Sequence, residues 1–226
     1  MKHIVALTGA GISAESGVKT FRDANGLWEG HDVMEVATPE GFNKNPRLVL
    51  DFYNQRRKQL FEVVPNSAHI DLAALEKTFK VSIITQNVDD LHERAGSTNV
   101  THLHGELLKA RSTYDATDIQ DWTTDLVLGD TCKRGHQLRP HIVWFGEDVP
   151  LIEKAAHICE TANILLIIGT SMQVYPAAGL MHYAPKKIPI YFIDPKPNIE
   201  NSKYLTVIPE TATVGLKQLK TLLVAD

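Results

Sequence analysis

The chain has 226 residues, 43% of them hydrophobic, which is enough to bury the core of one large domain or of a domain with an inserted lobe. Its formal net charge of −4 and the lack of a basic block argue against binding to a phosphate backbone, so no nucleic-acid partner is predicted. Cys132 and Cys159 are too few for a disulfide framework, and no apolar run approaches the length of a membrane span. We therefore expect a cytoplasmic protein without a membrane partner, and a monomer, since nothing in the sequence argues for an obligate oligomer.

Short apolar runs typical of buried strands alternate along the chain with helical stretches. The runs lie, in chain order, at residues 3–8, 81–85, 100–103, 164–169, 188–193 and 205–208. Helices are expected at residues 68–79, 89–96, 152–162 and 214–225. This alternation predicts the α/β fold class, with a Rossmann-like, doubly wound parallel sheet of about six strands.

Two segments interrupt the alternation and are predicted to form a smaller inserted lobe. Residues 36–65 contain a helix with its own apolar face, and residues 108–139 are polar and rich in turns. The chain is then a single domain, residues 1–226, with its core at about 1–35, 66–107 and 140–226. Because ligands bind at the carboxyl ends of parallel strands, the cleft between core and lobe is the expected site.

The first strand runs directly into the glycine-rich sequence GAGISAESG. Gly9, Gly11 and Ala14 match G-x-G-x-x-A, a form of the dinucleotide fingerprint, in which glycines allow close approach to a pyrophosphate. A P-loop is excluded because no G-K-[ST] follows, whereas a plain tight turn stays open as an alternative. In a dehydrogenase, an acidic residue that binds the ribose would end a second strand about twenty positions later. Here the chain instead reads VKTFRDANGLWEG, a long loop that indicates a lid over the cofactor.

Three further polar clusters follow predicted strands. TQNVDDLHERAG places Gln86, Asn87 and Asp89 at a strand end, although Asn87 or Asp89 alone could simply cap the next helix. HLHGEL places His102 and His104 on one side of the next strand, where a histidine facing a cofactor cleft is a candidate general base and a lone histidine is more often structural. GTSMQVYP follows a core strand and could cradle a phosphate or a ribose, which alone is a weak signal.

Together with PHIVWFGE, these motifs resemble the sirtuins, the NAD-dependent protein-lysine deacylases, over nearly the whole chain. The resemblance implies that NAD is consumed, that the nicotinamide–ribose bond breaks, and that acyl-lysine proteins or peptides are the partners. It implies His104 as the catalytic base, assisted by Asn87 and Asp89. Residues 143–147 would pair with the substrate peptide as an added strand, through Val143, Trp144, Phe145, Gly146 and Glu147.

The same resemblance implies the set of contacts to NAD. The glycine loop would wrap the pyrophosphate, and Asp194 stands where the family usually has an asparagine near the adenosine ribose. The implied cofactor-binding residues are Gly9, Ala10, Gly11, Glu15, Thr20, Phe21, Arg22, Gln86, Asn87, Asp89, His104, Gly169, Thr170, Ser171, Asp194 and Ala212.

The small lobe departs from the sirtuin pattern in its metal ligands. Sirtuins typically bind a structural zinc through paired cysteines, but here Cys132 is the one cysteine in the region, and Ser112 stands where the first thiolate is expected. Cys132 and His136 offer two ligands, and Ser112 and Asp115 are poor replacements. We expect zinc to be absent and no metal to bind, with the lobe held by a small core of its own, supplied by Trp122, Leu126, Val127 and Leu128.

The helix in NPRLVLDFYNQRRKQLFEV carries an arginine on its apolar face. Helical spacing aligns Val49, Phe52, Tyr53, Arg56 and Leu60, while the next two residues, Arg57 and Lys58, are predicted to be solvated. The Arg56 guanidinium either reaches solvent at the edge of the apolar face or binds an anion.

A second resemblance favours anion binding by Arg56. Class III sirtuins have alanine, tyrosine and arginine at the positions of Ala37, Tyr53 and Arg56, where the tyrosine and arginine bind the carboxylate of succinyl- or malonyl-lysine. The resemblance therefore implies a preference for acidic acyl groups, with deacetylation weaker. The alternatives are a protein ADP-ribosyltransferase with the same NAD pocket, a non-catalytic sensor of NAD or ADP-ribose, and, last, a dehydrogenase.

Overall fold

The computed structural model describes residues 1–19, 27, 28 and 30–224. Its strands are β1 (His3–Thr8), β2 (Leu27–Trp28), β3 (His31–Asp32), β4 (Lys80–Thr85), β5 (Val100–His102), β6 (Gly105–Ser112), β7 (Ile119–Asp121), β8 (Leu138–Ile142), β9 (Ile164–Ile168), β10 (Ile190–Ile193) and β11 (Leu205–Ile208). Its helices are α1 (Ala10–Ala14), α2 (Val33–Val36), α3 (Pro39–Lys44), α4 (Pro46–Glu62), α5 (Ser67–Leu75), α6 (Leu91–Arg94), α7 (Ile152–Glu160) and α8 (Ala212–Val224), with a 3-10 helix at Ala177–Tyr183.

The predicted fold class is confirmed by a six-stranded parallel sheet in the order β11–β10–β9–β1–β4–β5. Both faces of this sheet are covered, as the continuous apolar strands predict. In β1, Ile4 and Ala6 pack toward α5 and α8 on one face. Val5 and Leu7 pack toward α7 and the 3-10 helix on the other face. Because successive side chains of a strand point to opposite faces, β1 contributes to two separate hydrophobic cores.

A second, antiparallel sheet in the order β7–β6–β8 packs with α2, α3 and α4. We call this assembly the small lobe. Its proposed core needs correction, because Val127 and Leu128 are 50% and 42% exposed. Leu126 is fully buried, and Trp122 packs against the lobe core. The strands supply the rest of that core, through Leu107, Ala110, Leu138 and Ile142.

Within the small lobe, two polar side chains hold helix α4 against β6 and the segment between β7 and β8. Arg57 is 1% exposed and donates from Nε to the Leu107 carbonyl at 3.2 Å and from Nη1 to Asn54 Oδ1 at 2.7 Å. Asn54 in turn donates from Nδ2 to the Leu126 carbonyl and accepts from the Leu126 amide, at 3.0 and 2.8 Å. The prediction that Arg57 is solvated is therefore wrong. The rest of the lobe covers a wider face of α4 than its apolar residues indicate. Lys58, in contrast, is exposed and pairs with Asp125.

None of the helices in the described part of the chain combines the length and apolar character needed to cross a bilayer.

Candidate functional site

The glycine loop after β1 packs directly against the turn after the neighbouring strand β9. The Gly9 amide donates to the Ile168 carbonyl at 3.1 Å, and the Gly11 amide donates to the Gly169 carbonyl at 2.8 Å. A Cβ on Gly11 would lie 2.6 Å from the Cα of Gly169, and Gly169 itself has a φ of +63°. Glycine is thus required at both positions by the contact between the two loops. The fingerprint loop and the GTS turn form one continuous surface.

The other predicted cofactor residues lie at the same edge of the sheet. Gln86, which follows β4, donates from Nε2 to Thr170 Oγ1 at 3.0 Å and so links the second polar cluster to the GTS turn. Ser171, which comes next, is half-buried. Ala10 is half-buried at the start of α1, and Ala212 is buried at the start of α8.

Two carboxylates in the predicted cofactor set already have partners in the protein. Glu15 accepts hydrogen bonds from the hydroxyls of Thr211 and Thr213 and from the Thr213 amide, which joins the end of α1 to the start of α8. Asp194 is 2% exposed beyond β10 and accepts from the Lys196 amide at 2.9 Å. Three further predicted contacts, Thr20, Phe21 and Arg22, lie outside the described residues.

Beneath this edge, a buried polar network joins Asn87 and Asp89 through Ser13. Asn87 Nδ2 donates to Ser13 Oγ at 3.1 Å, and Ser13 Oγ donates to Asp89 Oδ2 at 3.0 Å. His69 Nε2 lies 3.4 Å from the same hydroxyl, and the His69 and His92 rings are 4.9 Å apart. Burial raises the pKa of Asp89 and lowers the pKa of His69 to about 4 and of His92 to about 3. Both histidines are therefore neutral at physiological pH.

Sequence reasoning missed Ser13, His69 and His92. Ser13 lies inside the fingerprint loop, a position that could have drawn attention to it. His69 lies in α5, where no local pattern marks it, whereas His92 lies inside the TQNVDDLHERAG motif, whose candidate residues did not include it.

The geometry separates the two histidines of HLHGEL into different roles. His104 Nδ1 lies 3.1 Å from the Gln86 carbonyl, and since a carbonyl only accepts, this nitrogen carries the proton of the neutral ring. Nε2 is then the unprotonated nitrogen. Burial lowers the pKa of His104 below its ordinary value of 6.5, against an opposing effect of the bond to Gln86. His104 is thus a neutral imidazole at physiological pH, which is the form that a general base requires.

His102 instead has structural partners on both ring nitrogens. Its Nδ1 donates to the Asn87 carbonyl at 3.0 Å, and its Nε2 lies 2.8 Å from the Glu93 carboxylate. Burial would lower the pKa of His102, but the hydrogen bond to Glu93 and the charge of Glu93 outweigh burial and raise it. The His102 ring, held by Glu93, fixes the backbone of Asn87 in place.

A cavity beside this site brings α4 next to the polar cluster. Tyr53, Arg56 and Leu60 line it from the helix, and Val88 and Asp89 line it from the segment after β4. Tyr53 is fully buried, whereas Arg56 is half-buried with its guanidinium carbon 4.9 Å from the centre of the Phe52 ring. The predicted acyl-binding pair therefore shares a cavity with Asp89, which belongs to the predicted cofactor set.

Residues 143–147 connect the two predicted sites. The Val143 amide donates to the His104 carbonyl, and the Phe145 amide donates to the carbonyl of buried Ala37, both at 2.9 Å. Phe145 is 45% exposed and Gly146 is exposed, so this part of the segment is accessible.

The side chains of Trp144 and Glu147 face the protein instead. Trp144 is 2% exposed. The Glu147 carboxylate accepts from Arg111, Arg139 and the Trp144 amide, at distances of 2.6–3.1 Å. These two residues could therefore contact a peptide only through their backbone atoms.

The residues at the usual zinc positions do not fit a metal. Ser112 Oγ accepts from the amides of Tyr114 and Asp115, and the His136 ring stacks on Tyr114 at 4.4 Å. Across the described ranges, no group of three or more histidine, cysteine, aspartate or glutamate side chains is arranged to hold an ion. Zinc coordination normally takes four such donors.

The Sir2 family model matches residues 9–176, which is more than half of the sequence. The chain belongs to the Sir2 family. Among curated Sir2 relatives, the "NAD-dependent protein deacylase" of Helicobacter pylori is 60% identical over 220 residues, covering 97% of this chain and 96% of the relative. The protein of the same name from Bacteroides thetaiotaomicron is 53% identical over 231 residues, covering 99% of each.

Solved Sir2 structures have the same fold. A Sir2 homologue in complex with NAD superposes with a TM-score of 0.88 at 38% identity, covering 99% of this chain and 90% of that one. A Sir2 mutant bound to a p53 peptide and NAD superposes with a TM-score of 0.79 at 27% identity, covering 99% and 94%. The six-stranded sheet and the antiparallel lobe of this chain are therefore the Sir2 architecture.

Proposed function

We propose that this protein is an NAD-dependent protein-lysine deacylase that removes succinyl and malonyl groups, and acetyl groups more weakly. With NAD and one water consumed, the products would be nicotinamide, free lysine and 2'-O-acyl-ADP-ribose. The observation that carries the proposal is the cavity shared by Tyr53, Arg56 and Asp89, since it lies where an acyl chain could meet the polar cluster near His104. The names of the curated relatives support the NAD-dependent deacylase class.

The continuous surface formed by the glycine loop and the GTS turn is the proposed seat of NAD. Gly9, Gly11 and Gly169 allow the two loops to pack against each other, and the backbone of this packed pair is the proposed site of the pyrophosphate. Gln86, Asn87 and Asp89 would line the ribose and nicotinamide end. Bound NAD supplies a nicotinamide–ribose bond whose cleavage allows the ribose to take up the acyl group.

His104 is the proposed general base. Its Nδ1 proton is committed to the Gln86 carbonyl, so Nε2 can take a proton from a ribose hydroxyl without a change of tautomer. The network of Ser13, Asn87 and Asp89 would hold the reacting sugar in a fixed, largely dry environment.

Arg56 and Tyr53 would select the acyl group. A guanidinium recognises a carboxylate through charge-assisted hydrogen bonds, and a phenol can add one more. Burial raises the pKa of Tyr53, so its hydroxyl stays protonated and able to donate. Succinyl and malonyl groups end in a carboxylate, whereas an acetyl group does not.

Product analysis tests the proposal directly. Peptides carrying succinyl-, malonyl-, acetyl- and butyryl-lysine should be incubated with labelled NAD, and the products separated by mass spectrometry. We expect deacylated peptide and labelled acyl-ADP-ribose, fastest with the two acidic groups. Butyryl-lysine is the matched control, since it equals succinyl in chain length but lacks the carboxylate. Label on protein in place of acyl-ADP-ribose would show an ADP-ribosyltransferase.

Folding and activity should not depend on zinc, because the small lobe is fastened by Asn54, Arg57 and its own apolar core. Treatment with a strong chelator should leave the thermal unfolding midpoint and the deacylation rate unchanged, and elemental analysis should find far less than one zinc per chain. About one tightly held zinc per chain, with unfolding on its removal, would refute this expectation.

A further inference from the structure

We propose that Trp144 is a specificity-determining positioning residue, which fixes the direction of the Tyr53 hydroxyl in the acyl-binding cavity. Trp144 belongs to the 143–147 segment and is buried in the core of the small lobe, where its indole Nε1 donates to Tyr53 Oη at 2.9 Å. The inference deepens the proposed function, on whose preference for acidic acyl groups it rests.

The chemistry of the two groups makes this bond directional. An indole N–H can only donate, so the Tyr53 oxygen must be the acceptor. The phenol's own hydrogen is thereby turned away from Trp144 and toward a second acceptor. Because Tyr53 lines the cavity together with Arg56, an acyl carboxylate held by Arg56 is the proposed acceptor. Without the indole N–H, the hydroxyl could rotate and offer a lone pair to that carboxylate instead.

Trp144 is itself held rigidly, as a positioning residue must be. It is 2% exposed, and the guanidinium carbon of Arg139 lies 3.2 Å from the centre of its ring. Phe42 packs against it with ring centres 5.4 Å apart. The indole therefore cannot move away when the cavity is empty.

The ion group behind Trp144 fixes the stacked guanidinium. Arg139 binds both oxygens of Glu147, at 2.6 and 3.1 Å, and donates to the Ile142 carbonyl at 2.9 Å. Arg111, which pairs with Arg139 across β6 and β8, donates to the same carboxylate at 3.0 Å. Glu147 also accepts from the Trp144 amide at 2.8 Å, so one carboxylate locks both the backbone of Trp144 and the cation over its ring.

The test is a double-mutant cycle on acyl selectivity. Trp144→Phe keeps an aromatic ring but removes the N–H, and Tyr53→Phe removes the hydroxyl. KM and kcat should be measured for succinyl- and acetyl-lysine peptides with each single variant and with the double variant. In Trp144→Phe we expect the ratio of the acetyl KM to the succinyl KM to fall about threefold to tenfold, as for the loss of one neutral hydrogen bond. The double variant should match Tyr53→Phe, because Trp144 acts through that hydroxyl.

An NMR measurement on the unaltered protein covers the case in which Trp144→Phe does not fold. The chain has three tryptophans, so three indole N–H signals are expected in a 15N correlation spectrum. Addition of the succinyl-lysine peptide should shift the Trp144 signal, and the acetyl-lysine peptide should leave it in place.

The outcomes separate the inference from the proposed function. Equal loss of succinyl and acetyl turnover, additive effects in the double variant, or equal shifts with both peptides would overturn the role of Trp144 alone. An unaltered enzyme that shows no preference for succinyl-lysine over butyryl- or acetyl-lysine would overturn the proposed acyl preference and the inference together.

Discussion

A His104→Ala variant should deacylate all acyl-lysine peptides about 10²- to 10⁴-fold more slowly than the unaltered enzyme, which is the usual contribution of a general base. The structure gives the reason, since the bond from Nδ1 to the Gln86 carbonyl leaves Nε2 as the basic nitrogen. The measurement is kcat/KM for succinyl- and acetyl-lysine peptides at saturating NAD. Both should fall together, because the base acts on the ribose and not on the acyl group.

The folded state should survive this change. His104 is half-buried, and its replacement removes one hydrogen bond of 3.1 Å, worth about 1 kcal/mol. Circular dichroism and thermal unfolding are the control for that expectation. Near-normal turnover in a folded variant would remove His104 from the proposed mechanism.

The pH profile provides a second readout of the same residue. Catalysis needs the neutral imidazole, and burial lowers the pKa of His104 below 6.5. Activity should therefore be complete at neutral pH and fall only as the pH drops through that lowered pKa. A rate that already declines between pH 8 and 7 would contradict the assignment.

The sheet was predictable because each strand carries its own signal. Ile164–Ile168 is apolar at every position, and only a strand covered on both faces needs that pattern. Once the strands are parallel, their carboxyl ends must meet, so the position of Gly11 beside Gly169 and of Gln86 beside Thr170 follows from topology. The parallel arrangement of the strands was thus enough to predict where the site lies.

The small lobe was harder to predict because its stability comes from distant partners. Arg57 donates to the Leu107 carbonyl, which lies 50 residues away in sequence. It also donates to Asn54, whose own partner Leu126 lies 72 residues further along the chain. A helical periodicity shows only which residues share a face, and it does not show how wide a stripe another element covers. Glu147 is a similar case, since its partner Arg111 is 36 residues away.

The two adjacent arginines of α4 lie in different environments. Arg56 lines the acyl cavity, whereas Arg57 is fastened inside the small lobe. Arg56→Met removes the positive charge but keeps a long apolar side chain. Loss of a charge-assisted contact to a carboxylate in a dry site costs about 2–4 kcal/mol, or roughly 30- to 1000-fold. Desuccinylation should fall by at least the lower factor, chiefly through a higher KM, while deacetylation falls far less or even rises.

Arg57→Met is the matched control, since it makes the same chemical change one residue later. It leaves the Leu107 carbonyl and Asn54 Oδ1 without their charged donor, which should cost about 1–3 kcal/mol of folding free energy. Its effect should appear as a lower unfolding midpoint, with succinyl and acetyl activities reduced in equal proportion per mole of protein. Arg56→Met should show the reverse, a normal unfolding midpoint with the ratio of the two activities changed. If Arg56→Met instead lowers both activities equally in folded protein, Arg56 does not act by binding an acyl carboxylate, because such a contact cannot contribute to turnover of an acyl group that has no carboxylate. The preference for succinyl and malonyl groups would then fall, while the Sir2 fold, the glycine surface and the role of His104 would stand, since none of them depends on α4.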